Sequence, residues 1–255
     1  MGTPSIPFRF SRVALASATA AGLVVGGCAT ETVDSSDIRT AGMHPIYSAL
    51  STGDGKTTVT GELRVGGDDG TFVVLVAGDE LTASAGDEEK AMKAIDDGLR
   101  YETSFAVDAA GTLVNVALSR GDSADGNTNG PKSQVEIPQP FTLSLSKLKA
   151  GSSIPRGGDV AIEWDPAGSG EVSWELDGDC VFYSWGSTED DGAFSIPSDE
   201  IDTAGIDEGE TCEVTITVER VQRGSVDPIF AKEGGTIRAT QQRTVAFESS
   251  PGPSE

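Results

Sequence analysis

Histidine is nearly missing from this chain, with His44 the one imidazole in 255 residues. An HExxH zinc site needs two histidines and is excluded, and no G-x-S-x-G elbow or Walker loop occurs. A Ser-His-Asp arrangement would have to use His44, which stands beside Pro45 at the edge of the expected tether. Basic residues are also scarce, 18 against 41 acidic ones, for a net charge of −23. A surface this negative repels nucleic acid and anionic headgroups and offers no basic groove for phosphates. Nucleic-acid partners are therefore excluded. No cofactor motif is present, and the chain reads as non-enzymatic. Carboxylate pairs are abundant enough for glycosidase chemistry, but a small β-sandwich lacks the deep cleft that chemistry needs. Long apolar runs are missing too. Val13 to Gly27 is free of charge for about fifteen residues, short of the roughly twenty that span a bilayer.

That short run is nonetheless the most informative part of the chain. Arg9 and Arg12 precede it, no acidic residue comes before Glu31, and it closes on Val25-Gly26-Gly27-Cys28. The pattern resembles the lipobox of bacterial lipoproteins: an apolar residue, two small ones, then the cysteine to be modified. The resemblance implies that residues 1–27 are a signal peptide removed on export, that Cys28 carries diacylglycerol, and that the new amino terminus is acylated. An ordinary cleaved signal and an uncleaved anchor are the competing readings. A buried helix is disfavoured because polar residues do not punctuate the run. Three acyl chains bury several tens of methylenes at about 0.8 kcal/mol each, which makes such an anchor effectively permanent. Ala29, where an aspartate would signal inner-membrane retention, resembles an outer-membrane address. Loss of residues 1–27, with two arginines and no acid, takes the charge from −23 to −25.

With Cys28 assigned to lipid, Cys180 and Cys212 remain as an even pair in an oxidising compartment. A disulfide between them closes a loop of about 32 residues, worth roughly 3.7 kcal/mol in the chain-entropy model. Two free buried thiols are the alternative. Metal ligation is the poorer reading, since the lone histidine is distant in sequence.

Residues 28–42 are mostly polar and predict a flexible lipidated tether. Beyond them, apolar residues recur with a period of two. Thr58–Val65, Thr71–Val76, Leu81–Ala85, Tyr101–Val107 and Leu113–Leu118 predict short strands of an N-terminal sandwich over 43–121. The segment 88–97 (EEKAMKAIDD) has helical propensity inside this strand series, and either a strand or a brief helical turn is expected there. Residues 122–140, rich in Gly, Asp, Asn, Ser and Pro, read as a linker. A second sandwich is expected over 141–249, with Trp164 and Trp174 in its core, and a disordered tail over 250–255. The fold class expected is all-β, two tandem antiparallel sandwiches. The second half resembles immunoglobulin-like extracellular modules, although its cysteines are closer together and its tryptophans precede Cys180. As a whole, the order of lipobox, tether, sheet domain, linker and disulfide-bearing sheet domain resembles a family of uncharacterised bacterial lipoproteins. That resemblance implies location and fold, and no known activity.

Two local patterns bear on ligands. Asp125-Gly-Asn127-Thr-Asn129-Gly130-Pro-Lys132-Ser-Gln-Val-Glu136 matches the calcium loop D-x-[DN]-x-[DN]-G-x₅-E, but strands flank it where helices should, and a polar linker has the same composition. Metal binding is not expected. The run Val181-Phe182-Tyr183-Ser184-Trp185 offers aromatic faces of the kind that stack on sugars, while alternation favours its use in sheet packing. The partners expected are the bilayer, through the acylated terminus, and an unidentified protein or envelope polymer. Carbohydrate binding is the alternative.

Overall fold

Strict alternation in CEVTITVERVQR makes Cys212–Arg223 a strand with Val214, Ile216 and Val218 fully buried and Thr or Glu between them. It pairs antiparallel with Thr236–Ser250 over twelve register positions, from Cys212↔Ser249 to Arg223↔Arg238. Around this ladder the rest of the chain is arranged. The computed structural model describes residues 30–121, 128–146, 153–155, 158–198 and 210–251. Cys28 and the expected signal peptide lie outside the described residues. In chain order the first strands are β1 (Thr32–Asp34), β2 (His44–Ser51), β3 (Thr57–Val65), β4 (Thr71–Val74), β5 (Glu80–Ala85) and β6 (Glu88–Ala91). They are followed by β7 (Lys93–Ile95), β8 (Arg100–Phe105), β9 (Leu113–Ser119), β10 (Gly130–Glu136), β11 (Thr142–Leu145) and β12 (Ser153–Pro155). The series closes with β13 (Val160–Asp165), β14 (Glu171–Gly178), β15 (Ser184–Glu189), β16 (Ala193–Ile196), β17 (Cys212–Arg223) and β18 (Thr236–Ser250).

The chain is all-β, as expected. Its organisation departs from two sandwiches joined by a linker. One continuous sheet runs β1-β4-β3-β2-β18-β17-β14-β15, because β18 is long enough to serve both halves. Its first part lies parallel to β2, Thr236↔Ile46 to Gln241↔Ser51, so the sheet is mixed rather than purely antiparallel. Parallel neighbours need a long connection, and residues 52–235 separate these two. The sheet β10-β9-β5-β6 covers one core, which includes Tyr47, Leu63, Leu81, Phe105 and Leu118. Phe230, Ile237 and Ala239 join that core although they come from the C-terminal half of the sequence. The sheet β11-β13-β16 covers a second core built on Trp164, Trp174, Leu176, Ile196 and Ile216.

Two expected segments differ, and a third, 88–97, takes the strand form, one of its two expected readings. Residues 32–42 belong to the fold and are not a flexible tether: β1 pairs parallel with β4, Val33 and Ile38 pack on the first core, and Ser35 and Thr40 are buried. The cause is Arg120, whose guanidinium donates from Nη2 to the carbonyls of Ser35 (2.7 Å) and Ile38 (3.2 Å) while facing Asp79 at 3.1 Å. Within the expected 122–140 linker, β10 is a full strand on β9, with Val135 and Ile137 in the core. The segment 88–97 is β6 and β7, then a turn at Asp96–Gly98. Pairing of Ala85↔Glu88 through Thr82↔Ala91 and burial of Met92 override its helical propensity.

Among the described residues, each half holds one buried Arg–Asp pair, Arg120–Asp79 and Arg220–Asp190. In the second, Arg220 Nε and Nη2 donate to both carboxylate oxygens of Asp190 (2.6 and 2.7 Å), and Trp164 Nε1 donates to Asp190 Oδ1 at 2.8 Å. Two further guanidinium hydrogens reach the carbonyls of Gln139 (2.7 Å) and Pro166 (3.0 Å). Burial by itself raises the Asp190 pKa, but the hydrogen bonds from Arg220 and Trp164 and the guanidinium charge outweigh it and hold the carboxyl below its ordinary 3.8. Arg220→Met leaves that carboxylate buried without its partner and is expected to cost about 3–5 kcal/mol, read from urea unfolding at neutral pH. A depressed folded pKa means that the stabilisation is complete above the unfolded value of 3.8 and fades as pH falls through the folded one. Asp190→Asn should accordingly flatten the acid limb of the stability curve. Tyr47 is a separate case: its hydroxyl is buried without a hydrogen-bond partner among the described residues. Tyr47→Phe is expected to raise stability by about 1 kcal/mol in the same measurement.

Candidate ligand-binding face

The inward side of β14 is filled by Val172, Trp174 and Leu176. β15 pairs with it from Glu171↔Glu189 to Leu176↔Ser184, which places Gly186 directly against Trp174. A Cβ at Gly186 would stand 2.8 Å from the indole ring, so only glycine lets the strand lie over Trp174. Gly186 thereby fixes the facing of its neighbours. Trp185 points to the outer side and is 73% exposed. The chain turns between Gly178 and Tyr183, and this breaks the alternation expected from Val181 onward. Val181 is buried, whereas Phe182 (59%) and Tyr183 (57%) are exposed. The expectation that Tyr183 and Trp185 fill sheet packing is therefore overturned, while Trp164 and Trp174 are core as expected.

Register defines what surrounds them. On the outer side, β14 presents Glu171, Ser173, Glu175 and Asp177, and β15 presents Trp185, Ser187 and Glu189. β17 adds Glu213, Thr215, Thr217 and Glu219, and β18 adds Gln242, Thr244, Ala246 and Glu248. This section carries seven carboxylates and neither lysine nor arginine; Arg223 and Arg238 lie beyond it at the far end of the ladder. Two acidic pairs are directly opposed, Glu171↔Glu189 and Glu213↔Glu248, an arrangement that destabilises a sheet. Partial desolvation, a hydrogen bond to Glu175 and the charges of Glu175, Asp177 and Glu219 push the Tyr183 pKa up. Elsewhere aromatic rings are capped by cations: Arg64 over Phe72 (4.1 Å), Lys90 over Phe105 (4.9 Å), and Arg220 and Arg243 over Phe141 (5.0 and 5.3 Å). Among the described residues no such cation covers Trp185 or Tyr183. Outward aromatics among hydroxyls and carboxylates can stack on a flat or cationic group and accept its hydrogen bonds.

The other residues singled out in the sequence do not meet here. Cys180 and Cys212 form the disulfide, Cα–Cα 6.0 Å, tying the end of β14 to the start of β17 behind this face. His44 directs Nδ1 at the Glu233 carbonyl (2.7 Å) and Nε2 at Asp68 Oδ1 (2.6 Å), so both nitrogens are occupied by oxygen acceptors. In the calcium-loop pattern, Asp125 and Asn127 lie outside the described residues. Asn129 Oδ1 accepts from Arg120 N at 2.8 Å, and Gly130–Glu136 is extended strand. Six residues of strand carry Glu136 about 20 Å from Gly130, so the twelfth position does not fold back onto the fifth. No cluster of three metal-ligating side chains occurs among the described residues. A concavity of about 570 Å³ lies in the first half, with Leu75, Leu81 and Met92 among its lining and Asp96–Gly98 at its edge. Tyr101 borders it with its pKa raised by burial, partly offset by the hydrogen bond its hydroxyl accepts from Leu75 N.

No protein-family model matches the chain, and no curated protein is significantly similar to it. Among solved structures, the FN1–FN3 domains of chicken CNTN1 are 8% identical with a TM-score of 0.31, over 81% of this chain and 63% of that one. The fibronectin(III)-like modules of Clostridium thermocellum CbhA are 11% identical with a TM-score of 0.29, over 82% and 94%. The Yersinia pseudotuberculosis adhesin InvE is 13% identical with a TM-score of 0.23, over 82% and 59%. The chain thus spans less than two thirds of the CNTN1 and InvE chains it is similar to. Scores at this level carry nothing about ligand or partner.

Two tryptophans on neighbouring strands test this geometry. Trp185→Ala is expected to leave stability within about 0.5 kcal/mol of wild type, whereas Trp174→Ala should cost roughly 3–5 kcal/mol. Thermal unfolding of the two variants side by side checks the assignment of inside and outside.

Proposed function

We propose that the chain is a non-enzymatic lipoprotein of the bacterial cell envelope, anchored in the outer membrane through acylated Cys28, that binds a protein or envelope polymer. The anchor rests on the Arg9–Cys28 pattern alone. Binding rests on one observation: Trp185 and Tyr183 project from the outer face of the sheet although the protein buries its other two tryptophans. Trp185 is held on a paired strand and Tyr183 lies just before that strand, so this exposed aromatic area is preorganised for contact. Both ring nitrogens of His44 are engaged, which leaves the single imidazole poorly placed to act as a general base.

Carbohydrate binding is the second reading. Its support is the same exposure of Tyr183 and Trp185, flanked by Ser173, Ser187, Thr215 and Thr217 as hydrogen-bonding groups.

Metabolic labelling with a clickable palmitate analogue should mark wild type and not Cys28→Ser. Equal absence of label in both removes the anchor from the proposal. Cross-linking in intact cells, with wild type beside Trp185→Ala, reads the binding half: partner bands should weaken several-fold in the variant, and unchanged bands would move binding away from this face.

A further inference from the structure

We propose that the occupant of the Trp185 face is an extended, lysine- or arginine-rich polypeptide segment, lying along β15 with its cationic side chains over Trp185 and Tyr183. The inference rests on the proposed use of this face and adds the chemistry of its partner. Three independent observations converge on it.

The first is sign. Seven carboxylates with no lysine or arginine among them form a field that attracts cations and repels anionic polymers. Neutral sugars draw nothing from such a field. The opposed carboxylates of Glu171 and Glu189, on β14 and β15, repel each other in the free protein, and a cation placed beside them relieves that repulsion.

The second is the state of the aromatics. Phe72, Phe105 and Phe141 each have an internal cation within 5.3 Å of the ring centre. Trp185 and Tyr183, set among carboxylates, have none among the described residues. A partner's ammonium or guanidinium completes there the contact that the protein makes internally elsewhere.

The third is the strand itself. Among the described residues, β15 hydrogen-bonds β14 alone and ends the sheet. An added strand would lie about 4.8 Å outside β15 and place every second side chain on the outer side. From there a lysine or arginine stem crosses Trp185 toward Glu175, its direct cross-strand partner, with Glu189 further along the same strand. Two strand spacings, about 10 Å, separate the added strand from β14, within the joint reach of a long cationic side chain and a glutamate.

The test uses the full-length protein in detergent and a fluorescein-labelled peptide of alternating lysine and threonine, with its glutamate-for-lysine counterpart as control. Fluorescence anisotropy should show binding of the lysine peptide and none of the glutamate peptide. Trp185→Ala and the double variant Glu175→Gln/Glu189→Gln should each weaken binding about tenfold. Asp87→Asn/Glu89→Gln removes the same number of charges from an exposed hairpin on the other half and should leave affinity unchanged. Equal losses in the two double variants would reduce the effect to diffuse attraction and overturn the proposal, as would absence of peptide binding in wild type. Binding of neutral oligosaccharides in place of the peptide, lost in Trp185→Ala, would keep this face as the ligand site and overturn the cationic occupant. Indifference of both peptide and cellular cross-links to Trp185→Ala would remove the underlying reading as well.

Discussion

The antiparallel pairing of β17 with β18 is the constraint on which the rest of the architecture depends. Twelve consecutive register positions make it the longest ladder among the described residues, and β18 contributes to both cores. The early part of β18 supplies Ile237 and Ala239 to the first core, and its later part supplies Phe247 to the second. A break in this ladder would therefore disturb both hydrophobic clusters at once, since β18 supplies residues to each. Arg220, on β17, stands where the second core meets the connection between the halves, and its hydrogen bonds to Asp190, Gln139 and Pro166 occupy four of the five guanidinium hydrogens. A charge buried so completely tolerates one arrangement of the surrounding loops and disfavours the others.

From that spine follows the outer face. The alternation that sends Val214, Ile216 and Val218 inward sends Thr215, Thr217 and Glu219 outward, and β14 repeats the pattern with Glu171, Glu175 and Asp177. On β15 the inward positions are Ser184, Gly186 and Thr188, small enough to fit against Trp174. Hydrophobic mass on this edge strand therefore lies outward, at Trp185. A sheet stabilised by its inner side can carry mutually repelling glutamates on its outer side, because burial of the inner residues far outweighs exposed pair terms of a fraction of a kcal/mol.

Much of the fold was legible because alternation has a period that the eye can count. Val59 and Leu63 on β3, the strands β5 and β9, the long β17, and the burial of Trp164 and Trp174 all follow from it. The Cys180–Cys212 pairing followed from the number of cysteines and the expected compartment. What escaped was non-local. Residues 32–42 look like a tether because they are polar, yet Arg120, some eighty positions away, hydrogen-bonds to Ser35 and Ile38 and secures them. The strand Gly130–Glu136 looked like linker because its composition is that of a loop, and only its ladder with β9 makes it structure.

The face shows the same division most sharply. Its components were all visible in the sequence: the aromatic run 181–185, the glutamates, the threonines of the longest strand. Alternation assigned Val181, Tyr183 and Trp185 to one side, but a turn after Gly178 separates the first from the others. The sequence by itself determined that the chain is β-rich, acidic, supplied with one cysteine pair and led by a lipobox-like segment, because charge, count and periodicity are properties of neighbours along the chain. Only the tertiary structure decided which side of β15 meets Trp174. That choice is made by the space left beneath Gly186, and space is set by residues far apart in sequence and adjacent in the folded sheet.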